Sequence, residues 1–122
     1  AAIAYDRLVK ANPDDATAYN NRGIARRQND DLESAIADFT EAIRLTPNDD
    51  IAYSNRGAAY EKKGDLDRAI ANYDEAIRFN PNSFFAYRQR VKTFDAVVAH
   101  DYFAQYSNKY WRNSSGATLL IQ

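Results

Sequence analysis

Cysteine and methionine are absent from this 122-residue chain, histidine and tryptophan occur once each, and glycine (four) and proline (three) are scarce. Without cysteine there is neither a disulfide nor thiolate chemistry, and the redox compartment stays open. A lone histidine, His100, leaves no nucleophile–base pair and no imidazole-based ligand set, so no catalytic residue, metal site or cofactor is expected. Charge of one sign is also lacking. Sixteen basic and 17 acidic residues give a net charge of −1, which argues against nucleic acid as a partner. No apolar run approaches the roughly 20 residues of a membrane span, so no membrane insertion is expected. Methionine is missing even at residue 1, which points to a processed product or a piece of a longer protein, with no targeting segment to read. The expectation is a soluble chain, cytoplasmic or periplasmic, with the compartment unknown.

What is present is repetition. Ala18-Tyr-Asn-Asn-Arg-Gly-Ile-Ala25, Asp31-Leu32 and Ala35-Ile-Ala-Asp-Phe39 return 34 residues later as Ala52-Tyr-Ser-Asn-Arg-Gly-Ala-Ala59, Asp65-Leu66 and Ala69-Ile-Ala-Asn-Tyr73. Each copy closes alike, in Glu41-Ala-Ile-Arg44 with Pro47-Asn48 and in Glu75-Ala-Ile-Arg78 with Pro81-Asn82. Residues 16–49 and 50–83 agree at 17 of 34 positions, and the agreement falls on small, aromatic and turn residues. Stacked helical hairpins need that selection.

The pattern predicts helices over about 1–11, 16–29, 32–45, 50–63 and 66–79. Asn12-Pro13, Thr46-Pro47 and Asn80-Pro81 stop three of them, because the residue before proline avoids the helical region. Asp14 or Asp15, Asp31 and Asp65 are the expected N-caps, and Gly64 supplies a positive φ. The acidic doublets at 14–15, 30–31 and 49–50 are read as caps, not as calcium or catalytic sites. In the first helix Ile3, Tyr5, Leu8 and Val9 are the apolar contacts, with Asp6 and Lys10 as an i,i+4 pair. Aligned on its proline, 1–15 is the second half of a repeat, so one flank of helix 1–11 should lie uncovered. A third copy starts with Tyr87, Arg90 and Phe94 and then drifts. Val91 replaces the glycine and Val97-Val98-Ala99 replaces the turn. One long helix over about 84–112 is expected, with a break near His100-Asp101 as the alternative. Asn113-Ser-Ser-Gly116 should end it in a loop, and 117–122 is a short apolar tail.

The ordered set of aromatic, glycine, alanine and proline positions, in duplicate, resembles the tetratricopeptide repeat (TPR) family. The Asn-Arg-Gly variant resembles the bacterial style of these repeats. Arg22, Arg56 and Arg90 depart from it, standing where the family often has leucine. The resemblance implies an all-α fold, a right-handed superhelix of helical hairpins with a long C-terminal capping helix. Its units would be a half repeat at 1–15, repeats at 16–49 and 50–83, a degenerate repeat at 84–113 and a tail at 114–122. In physical terms Gly23 and Gly57 let paired helices approach, with Ala35, Ala42, Ala69 and Ala76 opposite. Tyr19, Tyr53, Phe39 and Tyr73 fill the remaining space.

The resemblance also implies a non-enzymatic scaffold holding a peptide of a protein partner in its concave groove. Carried over, the lining is Asn20, Asn21, Ile24, Arg27 and Gln28, then Ile51, Ser54, Asn55, Ala58, Glu61 and Lys62, then Phe85, Arg88, Gln89 and Lys92. Asn21, Asn55 and Gln89 share one register and resemble an asparagine ladder, able to donate to and accept from a peptide backbone. The alternative is a solvated polar face. A clamp for a terminal carboxylate is not expected: Asn55 fits it, but its basic positions hold Asn20, Phe85 and Gln89. The three arginines either form an anionic site or bury their stems and pair with carboxylates of the adjoining helix. The second functional class is self-assembly into a homo-oligomer, through the open flank of 1–11 and the aromatics Tyr102, Phe103, Tyr106, Tyr110 and Trp111.

Overall fold

The computed structural model describes the backbone of residues 2–115 and the side chains of residues 3–105. Its order is α1 (Ala2–Ala11), α2 (Ala16–Gln28), α3 (Leu32–Leu45), α4 (Asp50–Lys63), α5 (Leu66–Phe79) and α6 (Phe84–Ser115), with no strand among the described residues. The expected stops act where they stand. Thr46 and Asn80, each before a proline, leave the helix at φ −135°, ψ 86° and φ −137°, ψ 88°. Asp15 accepts from the Thr17 amide at 2.9 Å, and one Asp49 oxygen accepts from Ile51 and Ala52 at 3.1 and 3.2 Å. Asp65 accepts from Arg68 at 3.2 Å. Asp31, also expected to cap, makes no side-chain cap bond.

The two tight turns share one geometry. The Asp31 amide donates to the Arg26 oxygen at 2.8 Å, and the Asp65 amide donates to the Tyr60 oxygen at 2.9 Å. This six-to-one closure needs a left-handed residue just before the donor. Gly64 takes it at φ 91°, and in the first copy Asp30 takes it at φ 65° without being glycine.

Consecutive helices pack pairwise, and in addition α2 touches α4 and α4 touches α6. The backbones of α1, α3 and α5 stay apart. The solenoid therefore bends with α2, α4 and α6 on its inner face. Its core is mostly alanine around two rings: Ala35, Ala42, Ala52, Ala59, Ala69, Ala76 and Ala86 are fully buried, as are Phe39 and Tyr73. Each ring lies in a glycine notch. A Cβ on Gly23 would fall 2.6 Å from Phe39 Cε1, and one on Gly57 would fall 2.8 Å from Tyr73 Cε1. Tyr53 stacks on Phe79 with centroids 5.6 Å apart.

The arginine before each notch ties three helices. Arg22 forks onto Asp38 through Nε at 3.0 Å and Nη2 at 2.7 Å, and donates through Nη1 to Asp6 at 3.1 Å. Arg56 repeats the reach with neutral partners, Asn72 Oδ1 at 2.7 Å and Thr40 Oγ1 at 3.2 Å. Arg90 pairs with Asp74 at 2.7 Å. Arg22 and Arg56 also lie over Tyr19 and Tyr53, at 5.6 and 5.4 Å. Arg22 and Arg90 thus pair with carboxylates of the adjoining helix, as one of the two expectations had it, whereas Arg56 meets only neutral oxygens there. Asp6 is consumed by Arg22 and Arg26 and does not form the expected pair with Lys10.

α6 passes through His100-Asp101 unbroken and continues to Ser115, two residues beyond the expected loop start at Asn113. Ile3 and Leu8 on α1 stay exposed, while Val9 is buried. The apolar tail at 117–122 lies outside the described residues.

Two outcomes follow. Gly57→Leu should lower stability by about 1–3 kcal/mol, because Tyr73 and the Ala69 carbonyl leave no room; chemical denaturation measures it. Burial and then Glu61 raise the Tyr73 phenol above the ordinary tyrosine value. The unfolded chain therefore loses that proton first as pH rises past about 10, and stability falls there. Tyr73→Phe should flatten this alkaline decline in melting temperature while leaving neutral pH behaviour to the lost hydrogen bond alone.

Candidate functional site: the inner face of α2, α4 and α6

The buried positions of α2 and α4 are held by small residues, Ala18, Asn20, Gly23 and Ala25 on the first and Ala52, Ser54, Gly57 and Ala59 on the second. Of the expected lining, Ile51 (61% exposed) and Phe85 (45% exposed) stand open. With Asp50, Ser54, Asn55 and Ser83 they enclose a hollow of about 300 Å³ between α4 and the start of α6. Asn21 and Gln28 are exposed, and Ala58 is half-buried. Ile24 is half-buried against the cluster of Ala35, Phe39 and Ala59, so its contact is with the core. Arg88 and Lys92 border a different, wider depression of about 500 Å³ with Phe84, Tyr87, Val91 and Asp95.

Two residues placed in the lining belong to the interior. Asn20 is 8% exposed and its Nδ2 donates to Asp49 Oδ2 at 3.0 Å, tying α2 to the next helix's cap. Ser54, its counterpart one repeat on, is 5% exposed and meets the hollow only at its floor. Tertiary packing draws both inward, since their register lies between the groove and the following hairpin.

The amide ladder is not uniform. Asn21 is in solvent. Asn55 is half-buried, and its Nδ2 is fully buried with no partner among the described residues. Gln89 is half-buried. The Tyr73 hydroxyl donates to Glu61 Oε1 at 2.8 Å. Tyr73, itself fully buried, thus holds Glu61, a residue of the expected lining, from the helix behind it, a role its sequence position did not suggest. A signal existed: the first copy has Phe39 opposite Arg27, whereas the second has Tyr73 opposite Glu61. A buried phenol needs a partner, and the acceptor appears with it.

Arg27 is half-buried and donates through Nη1 to the Asn55 backbone oxygen at 3.3 Å. Desolvation holds its pKa below the ordinary arginine value. Lys62 is exposed, with Nζ 3.2 Å from both the Arg27 oxygen and Asp30 Oδ1. Of the expected self-association residues, Tyr102 (71%) and Phe103 (68%) are exposed, and the side chains of Tyr106, Tyr110 and Trp111 lie outside the described ones. Among the described residues no group of His, Cys, Asp and Glu is placed to hold a metal, and no helix is long and apolar enough to cross a membrane.

Three family models match the chain: Tetratricopeptide repeat over residues 4–37, TPR repeat over 25–64 and Tetratricopeptide repeat over 51–83. No curated protein matches it by sequence. Among solved structures, the first TPR of Spaghetti (RPAP3) bound to the HSP90 peptide SRMEEVD is similar at TM-score 0.75 and 27% identity, over 80% of this chain and 77% of that one. The second TPR domain of human RPAP3, in complex with the HSP70 peptide SGPTIEEVD, is similar at TM-score 0.71 and 26% identity, covering 75% and 77%. The Arabidopsis OM64 TPR domain is similar at TM-score 0.75 and 25% identity, covering 78% of each. With glycine notches, proline stops and matched models running from residue 4 to residue 83, the chain belongs to the tetratricopeptide repeat family.

Proposed function

We propose that the chain is a protein-interaction module that holds an extended segment of a partner across α2, α4 and α6. The carrying observation is Asn55: a buried amide donor without a partner, beside a hollow with exposed Ile51 and Phe85 at its mouth. An orphaned buried donor is a cost that a peptide carbonyl would remove. Asn21 and Gln89, in the same register on the neighbouring helices, extend that contact along the segment, and the hollow takes an apolar side chain. The similar RPAP3 domains are bound to HSP90 and HSP70 peptides, which supports a peptide as the class of ligand. It does not transfer those ligands, because Asn20, Phe85 and Gln89 stand at the clamp's basic positions.

Asn55→Ala should weaken a library-selected peptide by about 1–3 kcal/mol while leaving unfolding free energy unchanged or raised. Calorimetric titration and denaturation on the same variant measure the two. Equal peptide affinity in parent and variant would remove Asn55 from the site.

A second reading, self-association, is favoured by α6. Phe84, Tyr87, Val91, Phe94, Val98, Tyr102 and Phe103 are all exposed, more apolar surface than single scattered residues account for. In this reading a helix of a second copy covers that face. Sedimentation at micromolar concentration should show a species above monomer mass, reduced to monomer by Val91→Ser with Phe94→Ser. A monomeric parent chain excludes it.

A further inference from the structure

The third copy runs on as one helix where the earlier copies fold into a hairpin, so α6 keeps a face that the described residues leave uncovered. Ala86 and Thr93 are buried and Gln89 and Val97 half-buried, which turns that side of α6 toward α5 and α4. On another side Phe84, Tyr87, Val91, Phe94 and Val98 stand exposed, three and four residues apart in alternation. Such spacing averages 3.5 residues, the repeat of a coiled-coil seam. The depression of about 500 Å³ beside the seam includes Phe84, Tyr87, Arg88 and Val91. These stand at i, i+3, i+4 and i+7, the four corners of a hole that receives a side chain from a facing helix.

The seam complements a reversed copy of itself. When two such helices run in opposite directions, Val91 comes opposite Phe94 of the second copy and Tyr87 opposite its Val98. Each ring then meets a small side chain, and the two-fold axis repeats every contact. A parallel pair would set ring on ring and valine on valine. The same antiparallel register brings Arg88 across from Asp95 of the second copy, again twice by symmetry. Both side chains are exposed, and neither has an ion-pair partner among the described residues. Arg90, on the other flank of the seam, is already taken by Asp74 of α5. Size and charge therefore both point to α6 itself as the helix that fits this face.

We propose that α6 pairs with α6 of a second copy as an antiparallel coiled coil over residues 84–98, with Arg88 and Asp95 fixing its register. The proposal rests on the self-association reading of this face and adds the occupant, its direction and its charge contacts.

The chain has no cysteine, so introduced ones report the pairing by oxidative cross-linking without background. Tyr87→Cys mixed with Val98→Cys should give a disulfide-linked dimer. Neither variant should link to itself, because like positions would lie about 16 Å apart along the axis, beyond the reach of a disulfide. In sedimentation, Arg88→Glu alone and Asp95→Arg alone should each weaken the dimer by about tenfold, since like charges then face each other twice. Both changes in one chain should restore it, a rescue that loss of folding would not allow. Tyr87→Cys linking to itself would mean a parallel pair, and Val98→Cys linking to Leu8→Cys would mean that α1 of the next copy is the occupant. Either result overturns the antiparallel pairing and leaves self-association standing. Failure of the double charge reversal to restore the dimer overturns the register and with it the proposal. A monomeric parent chain at micromolar concentration overturns the pairing and the self-association reading together.

Discussion

Two aromatic rings seated in two glycine notches are the contact on which the rest of this structure depends. Phe39 against Gly23 and Tyr73 against Gly57 bring paired helices closer than any Cβ would allow. The same crossing lets Arg22 reach Asp38 and Arg56 reach Asn72, since each arginine precedes its glycine and each partner precedes its ring. Apolar burial and the polar tie thus share one crossing point. A buried Asp38, at 4% side-chain exposure, is tolerable only with the guanidiniums of Arg22 and Arg26 on it.

Where the notch is lost, the hairpin is lost. Val91 replaces the glycine and Val98 stands in the place of the left-handed Gly64, so α6 has neither the close contact nor the turn that would return the chain. It continues as 32 helical residues, and the face a returning helix would cover stays exposed at Val91, Phe94 and Val98. The bend of the solenoid follows from the same packing: small residues let α2, α4 and α6 approach one another, while α1, α3 and α5 are held apart and bridged by long arginines. The inner face therefore carries short amides and an open hollow, and the outer flank carries ion pairs.

Divergence between the copies varies the polar contacts of an otherwise repeated frame. Exchange of Phe39 with Arg27 for Tyr73 with Glu61 changes a buried ring and a residue of the inner helix together. The second copy closes its polar network internally, and the first leaves a cation turned toward α4.

The sequence by itself determined the family, the repeat register and nearly every helix boundary. Those features rest on local rules: proline excludes the helical region before it, aspartate caps, glycine accepts a positive φ, and period-34 recurrence reports stacking. Even Asp30, an unsuited residue in a left-handed turn, sits where the repeat places Gly64. Tertiary structure decided what each polar side chain faces. Asn20 and Ser54 turned inward, Asp6 left Lys10 for Arg22, the Asn55 Nδ2 lost water without gaining a partner, and the Tyr73 hydroxyl found Glu61 on α4. The reason is that hydrogen bonding and desolvation of a side chain depend on atoms from other helices. Sequence spacing sets the face on which a residue stands, but not which neighbour arrives to meet it.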